Sequence, residues 1–278
     1  MASVAVEAFD TRTGEAGAEH AGRVSFPRPV DLSIHGLAKS YGSGVRVFED
    51  VGFTVRRGEA VALIGANGAG KSTLLRCCVG LIPASAGEVD LLGREVTGCK
   101  AAELRRLRSQ IGFVFQRHNL VPRLSALSNV VHGALGRART PRLWHQAFAP
   151  AALRDEALAA LALVGLEDVA LRRADRLSGG QSQRVAIARA MMQRPRFIMA
   201  DEPVASLDPA AGEEVMDLFV RLIRAQRLTL LFTSHNLDHA VRYADRVVAL
   251  RQGRIALDAS ADSLDVGVLR RLYVACCG

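Results

Sequence analysis

A chain of 278 residues, 49% hydrophobic, can bury a full core as one large α/β domain or as a core with a smaller lobe, which excludes disorder throughout. The longest apolar stretches, around 228–232 and 246–250, are strand-sized and far short of the ~20 residues of a membrane-spanning helix. The net charge is +8, and residues 94–142 hold ten arginines and lysines against Glu95 and Glu103, so this one region matches the excess of the whole chain. Such a basic lobe could meet nucleic acid, anionic lipid or an acidic partner, with a solvated face as the default.

In chain order, residues 1–30 are rich in Ala, Gly and acidic residues and end in Pro27 and Pro29, the composition of a disordered extension. They lack a basic start followed by an apolar block, so no secretory signal is expected. Residues 32–38 and 45–55 read as antiparallel strands at a sheet edge, with Tyr41 in the turn. The run 61–64 reads as a buried parallel strand, 87–92 as an edge strand and 111–115 as another buried strand. From Gln116 to about Arg176 strands vanish. Residues 125–135 and the spacing of Leu153, Ala157, Leu158, Leu161 and Val164 predict helices, joined by a connector at 137–150. Helix 181–193, strand 197–200, helix 210–224 and strands 228–232 and 247–250 follow, an alternation that implies a parallel sheet. Five cysteines, at 77, 78, 99, 276 and 277, have neither metal-ligand spacing nor a disulfide pattern, and read as reduced thiols.

Gly65-Ala66-Asn67-Gly68-Ala69-Gly70-Lys71-Ser72-Thr73 fits the phosphate-loop pattern G-x-x-x-x-G-K-[ST], between the strand 61–64 and a helix through 74–79. The glycines let backbone N–H groups face an anion, Lys71 adds a charge for terminal phosphates, and Ser72 offers a hydroxyl to Mg²⁺. A chance glycine turn would not come with both flanking elements. The strand 197–200 ends in Asp201-Glu202, where ligands of open α/β sheets bind; Asp201 is positioned to hold Mg²⁺ and Glu202 to polarise water. Leu177-Ser178-Gly179-Gly180-Gln181 precedes a helix expected near Ser182, and so supplies a second phosphate-sized helix start.

These motifs, with Ser206-Leu207-Asp208 and His235, resemble in order and separation the nucleotide-binding domain of ABC transporters over about residues 31–258. The resemblance implies an α/β P-loop ATPase core with a mainly parallel sheet, an N-terminal antiparallel β edge and an inserted α-helical subdomain at about 117–180. A C-terminal helix and tail would occupy 259–278. It implies ATP and Mg²⁺ as cofactors. It assigns adenine stacking to Tyr41, phosphate and metal contacts to Gly68, Gly70, Lys71, Ser72 and Thr73, and a metal contact with relay to the membrane subunit to Gln116. Ser178, Gly180 and Gln181, with Gly179 between them, would reach the γ-phosphate on a second copy of the chain. Glu202 would be the catalytic carboxylate, Asp208 would couple the two sites, and His235 would contact the γ-phosphate.

The segments Val114-Phe115-Gln116-Arg117-His118-Asn119-Leu120-Val121 and Asp201-Glu202-Pro203-Val204-Ala205-Ser206-Leu207-Asp208-Pro209 are similar to the ATP-binding subunit of bacterial phosphonate importers. Implied partners are transmembrane permease subunits and, indirectly, a periplasmic or extracellular binding protein. The implied place is the cytoplasmic face of the inner membrane, with the basic lobe toward the permease and no nucleic acid expected. Alternatives are import of phosphate or another small oxyanion, or a soluble ATPase acting on nucleic acid or ribosomes. Soluble relatives of that kind carry tandem cassettes or a coiled-coil insert, and this chain has one cassette and no heptads.

Overall fold

Every residue of β3 (Ala60–Ile64) is buried, as a strand covered on both faces must be. In this computed structural model, which describes residues 28–42, 44–138, 146–265 and 267, β3 lies inside a six-stranded sheet. On one side of it come β7 (Thr229–Ser234), β6 (Phe197–Ala200) and β5 (Ile111–Val114), all parallel. On the other side lie β8 (Arg246–Arg251), parallel to β3, and β9 (Arg254–Ser260), antiparallel to β8. A separate antiparallel sheet has β1 (Val30–Tyr41) between β2 (Val45–Arg56) and β4 (Ala86–Leu91).

The alternation of side chains along β3 divides the core in two. Val61 and Leu63 face a layer shared with Leu32, Ile34, Phe48 and Val55 of the antiparallel sheet and with Leu74 and Leu75 of α1 (Lys71–Cys78). Ala62 and Ile64 face the opposite layer, with Val185 and Ile187 of α6 (Gly179–Met192) and Phe219 and Ile223 of α7 (Pro209–Ala225). The helical lobe, α3 (Ala126–Val131), α4 (Leu135–Ala138) and α5 (Ala151–Leu163), joins this second layer, where α3 and α5 pack on α6. Asp31, 2% exposed, ties the sheets together by accepting from Thr229 Oγ1 at 2.6 Å and from Arg57 Nε at 3.1 Å.

Three elements have no counterpart in the sequence reading: α2 (Ala101–Arg108), α8 (Leu237–Tyr243) and β9. In β9 exposed and half-buried residues alternate with none fully buried, which leaves a weak apolar signal. It ends at Ser260, past the domain boundary expected at 258. Tyr41 closes β1, paired with Val45, instead of sitting in the turn, and the helix expected from Ser182 begins at Gly179. Residues 1–27 of the expected extension, positions 139–145 of the connector, most of the expected C-terminal helix, and Cys276 and Cys277 lie outside the described residues. Cys77 and Cys78 are buried on α1, in the packing role. Among the described residues no helix is long and apolar enough to cross a membrane.

Candidate functional site

The parallel strands β3, β6 and β7 end together, and the loop that leaves each carries chemistry, as strand order in open α/β sheets dictates. After β3 the chain passes close under β8: a Cβ on Gly65 would sit 2.6 Å from the Leu250 carbonyl oxygen. Gly70 has φ 97°, and a Cβ there would also meet Val47 Cγ1 at 2.8 Å. The turn delivers the start of α1, which no side chain caps and whose first turn holds no acidic residue, so its N–H groups and dipole remain for an anion.

Lys71 is 4% exposed and donates to the carbonyls of Gly65 at 2.8 Å and Ala66 at 3.3 Å. Its Nζ also lies 3.3 Å from Glu202 Oε1, while His235 Nδ1 lies 3.5 Å from Oε2 of the same carboxylate. Ser72 Oγ donates to Asp201 Oδ1 at 2.8 Å, and Thr233 Oγ1 donates to the same oxygen at 3.0 Å. Arg76 Nη2 stands 3.9 Å from Asp201 Oδ2. A cleft of about 510 Å³ opens over these groups, lined by Asn67, Gly68, Gly70, Lys71, Ser72, Thr73, Gln116, Glu202 and His235. Val47 and Ala205 also line it, though the sequence reading singled out neither.

The donor set decides what the cleft could hold. A buried ammonium and an uncapped helix start suit phosphate oxygens, and the Ser72 hydroxyl beside the Asp201 carboxylate offers the hard oxygens that Mg²⁺ takes. Among the described residues no group of three or more His, Cys, Asp or Glu is placed to hold a metal ion. The residues fit a magnesium nucleotide.

Ser178, Gly179, Gly180 and Gln181 do not line this cleft. Ser178 caps α6, accepting from Gln181 N at 3.2 Å while Gln181 Oε1 accepts from Ser178 N at 3.1 Å. A Cβ on Gly179 would sit 3.1 Å from Leu207 Cδ2, so this helix start packs beside the Ser206-Leu207-Asp208 turn, and Asp208 caps α7 through Ala211 N at 3.0 Å. Beyond its own helix backbone and chain neighbours, no described residue comes within 4 Å of a Cβ on Gly180. Tyr41 is 45% exposed, with Lys39 Nζ 4.7 Å from its ring centroid, and does not line the cleft. Past Gln116, Arg189 of α6 donates to the carbonyls of Asn119 at 2.6 Å and His118 at 2.9 Å, tying the glutamine loop to the helix that Ser178 caps. Sequence patterning hid Arg189 within a helix, and it left Thr233 just past the strand read at 228–232, which in the structure runs on to Ser234.

A phosphate loop, paired carboxylates at the end of the strand next but one, and an inserted helical lobe define a P-loop nucleotide-binding protein. The family model described as ABC transporter matches residues 48–205. The phosphonates import ATP-binding protein PhnC of Frankia casuarinae is 50% identical over 234 residues, covering 84% of this chain and 92% of that one. The phosphate-import ATP-binding protein PhnC of Mycolicibacterium smegmatis is 50% identical over 225 residues, covering 81% and 85%. Among solved structures, a dimeric ATP-binding cassette in a post-hydrolysis state bound to ADP and Pi superposes with a TM-score of 0.74 at 32% identity, covering 84% of this chain and all of that one. The chain belongs to the ABC transporter family.

Proposed function

We propose that this chain is the ATP-hydrolysing subunit of an ABC importer and that its cargo is phosphonate. The convergence of Lys71, Asp201, Glu202 and His235 at three adjacent strand ends carries the ATPase reading. Lys71, with the backbone of Asn67, Gly68, Ala69 and Gly70, binds the phosphates, and Ser72, Asp201 and Gln116 hold Mg²⁺. Bound there, Mg²⁺ supplies neutralisation of charge on the phosphate oxygens. Glu202 accepts a hydrogen bond from the attacking water and draws charge from it, while His235 contacts the terminal phosphate. Tyr41, exposed at the end of β1, stacks on adenine.

Ser178, Gly179, Gly180 and Gln181 belong to the site of a second copy, with Asp208 as the coupling residue. The open space at Gly180 supports this, because no packing among the described residues requires glycine there. Binding across two copies agrees with the dimeric state of the structurally similar cassette. Permease subunits would receive the stroke on the cytoplasmic face of the inner membrane, with an outer binding protein delivering cargo. Phosphonate follows the names of several relatives, which are phosphonates import ATP-binding proteins. Phosphate is the second reading, because the Mycolicibacterium relative is named for it at the same identity. The test is vesicle uptake by the chain reconstituted with its neighbouring permease and binding protein. ATP-dependent uptake of an alkylphosphonate in preference to phosphate is expected, and the reverse preference overturns the cargo assignment.

A further inference from the structure

We propose that Thr233 is a positioning residue for hydrolysis, one buried hydroxyl that holds the backbone of Glu202 and the carboxylate of Asp201 in a fixed relation. This rests on the reading of Glu202 as the residue that activates water. Thr233 is fully buried on β7, where the neighbouring Leu231 and Phe232 contribute only apolar packing. A hydroxyl has one hydrogen to give and lone pairs to accept with. Here the hydrogen goes to Asp201 Oδ1 at 3.0 Å, and a lone pair accepts the Glu202 backbone N–H at 2.8 Å. Since Asp201 Oδ1 also accepts from Ser72 Oγ at 2.8 Å, an unbroken chain of hydrogen bonds runs from Ser72 on α1 through Asp201 and Thr233 to the backbone of Glu202.

The Glu202 backbone needs such a holder. Its φ of 46° lies in the left-handed region, which costs a residue with a Cβ free energy and persists only where the surroundings over-determine it. Around it, Asp201 N donates to Val114 O at 2.8 Å and Ala205 N to Glu202 O at 3.2 Å, so Thr233 supplies the contact to Glu202 N–H itself. Ser234 cannot substitute, because its hydroxyl is bonded to Asn236. Loss of the Thr233 hydroxyl leaves the Glu202 N–H without its acceptor and Asp201 Oδ1 with one donor fewer. The turn then relaxes, and the carboxylate leaves its place between Lys71 and His235. Lys71 loses only its pairing with Glu202 and keeps its bonds to the Gly65 and Ala66 carbonyls, so the cost falls on chemistry and not on nucleotide binding.

The test compares full-length wild type, Thr233→Val, Thr233→Ser and Glu202→Gln. Measured are kcat and KM for ATP, the Kd for Mg-ATP by calorimetry, and the ATP-dependent dimer by size exclusion, with thermal unfolding as the fold control. Thr233→Val, of nearly the same shape, is expected to lower kcat about 10- to 100-fold, the scale of a misplacement near 1 Å. KM and Kd should change by less than about twofold, and the slowed variant should accumulate a Mg-ATP dimer as Glu202→Gln does. Thr233→Ser, which restores the hydroxyl, should recover most of kcat. If Thr233→Val does not fold, Thr233→Ala removes the same oxygen without filling its space and carries the same expectations. Wild-type turnover in the Val or Ala variant overturns the proposal. So does joint loss of kcat and ATP affinity that Thr233→Ser fails to recover. Should Glu202→Gln itself hydrolyse at the wild-type rate, the reading of Glu202 fails; if Glu202→Gln is inactive while Thr233→Val is not, only the role of Thr233 fails.

Discussion

Lys71 Nζ lies 3.3 Å from Glu202 Oε1, with the lysine 4% and the glutamate 12% exposed in their side chains. The phosphate loop and the carboxylate strand end are thereby joined by charge across 131 positions of sequence. The pair compensates two shielded charges, while the bonds from Lys71 to the Gly65 and Ala66 carbonyls hold the lysine in the loop independently of Glu202.

Lys71→Ala removes the one ammonium that the described residues bring to the cleft lining. Charge-assisted hydrogen bonds contribute roughly 1.5–3 kcal/mol each, so ATP affinity should fall by about 10²-fold or more. Calorimetry checks this, and unchanged affinity would refute the assignment of Lys71 to phosphate.

Glu202→Gln keeps the shape of the side chain and should still bind Mg-ATP, because Lys71, Ser72 and Asp201 are untouched. An amide accepts no proton and orients water poorly, so turnover should fall by about 10² to 10⁴. Unable to hydrolyse, the variant should elute as a dimer with Mg-ATP while wild type is mostly monomer. Adding Ser178→Arg should abolish that dimer, since a bulky cation would fill the space over α6 meant for the second copy's nucleotide. A dimer that survives Ser178→Arg removes Ser178 from the contact between copies.

Charge reversal separates two kinds of arginine in the basic lobe. Arg105 and Arg106 are exposed on α2, whereas Arg137 is half-buried, donates to the Met192 carbonyl at 3.1 Å and pairs with Glu156 at 2.6 Å. Reversing Arg105 and Arg106 should weaken association with the permease in anionic membranes, most strongly at low salt where screening is least. Arg137→Glu should lower the unfolding temperature instead. Co-purification across a salt series and thermal unfolding check the pair of outcomes; indifference of the first to charge and salt would leave Arg105 and Arg106 as a solvated face.

Burial, with the Arg189 guanidinium second, holds the His118 imidazole below its ordinary value; burial also lowers His239. The unfolded chain then binds more protons than the native one between the folded and unfolded values, so stability is full above the ordinary histidine range, near pH 6.5, and declines as pH falls through it. His118→Gln should flatten part of that decline. Urea unfolding at a series of pH values from neutral downward measures it, and an equal decline in both proteins would contradict this source.

What was legible in the amino-acid order is contiguous. The phosphate loop at 65–73 and the apolar strands 61–64 and 197–200 each carry their own backbone requirement within a few residues, and the structure puts them close to where those requirements place them. Elements with a weak apolar contrast, such as β9, were not legible, because half-exposed alternation differs little from loop composition. Tertiary structure alone decided the rest. The antiparallel strands read as a sheet edge form a sheet of their own, sharing a core layer with the odd-numbered face of β3. The order β6-β7-β3 brings Thr233 to Asp201 and Asp201 to Ser72, contacts that span 32 and 129 positions. No local pattern reports them, since a buried threonine in an apolar strand looks like β-branched packing until its hydroxyl has a neighbour. Likewise Arg137 reads as surface charge until folding sets it against Glu156 and Met192, because the pairing of a side chain depends on which helices the core brings together.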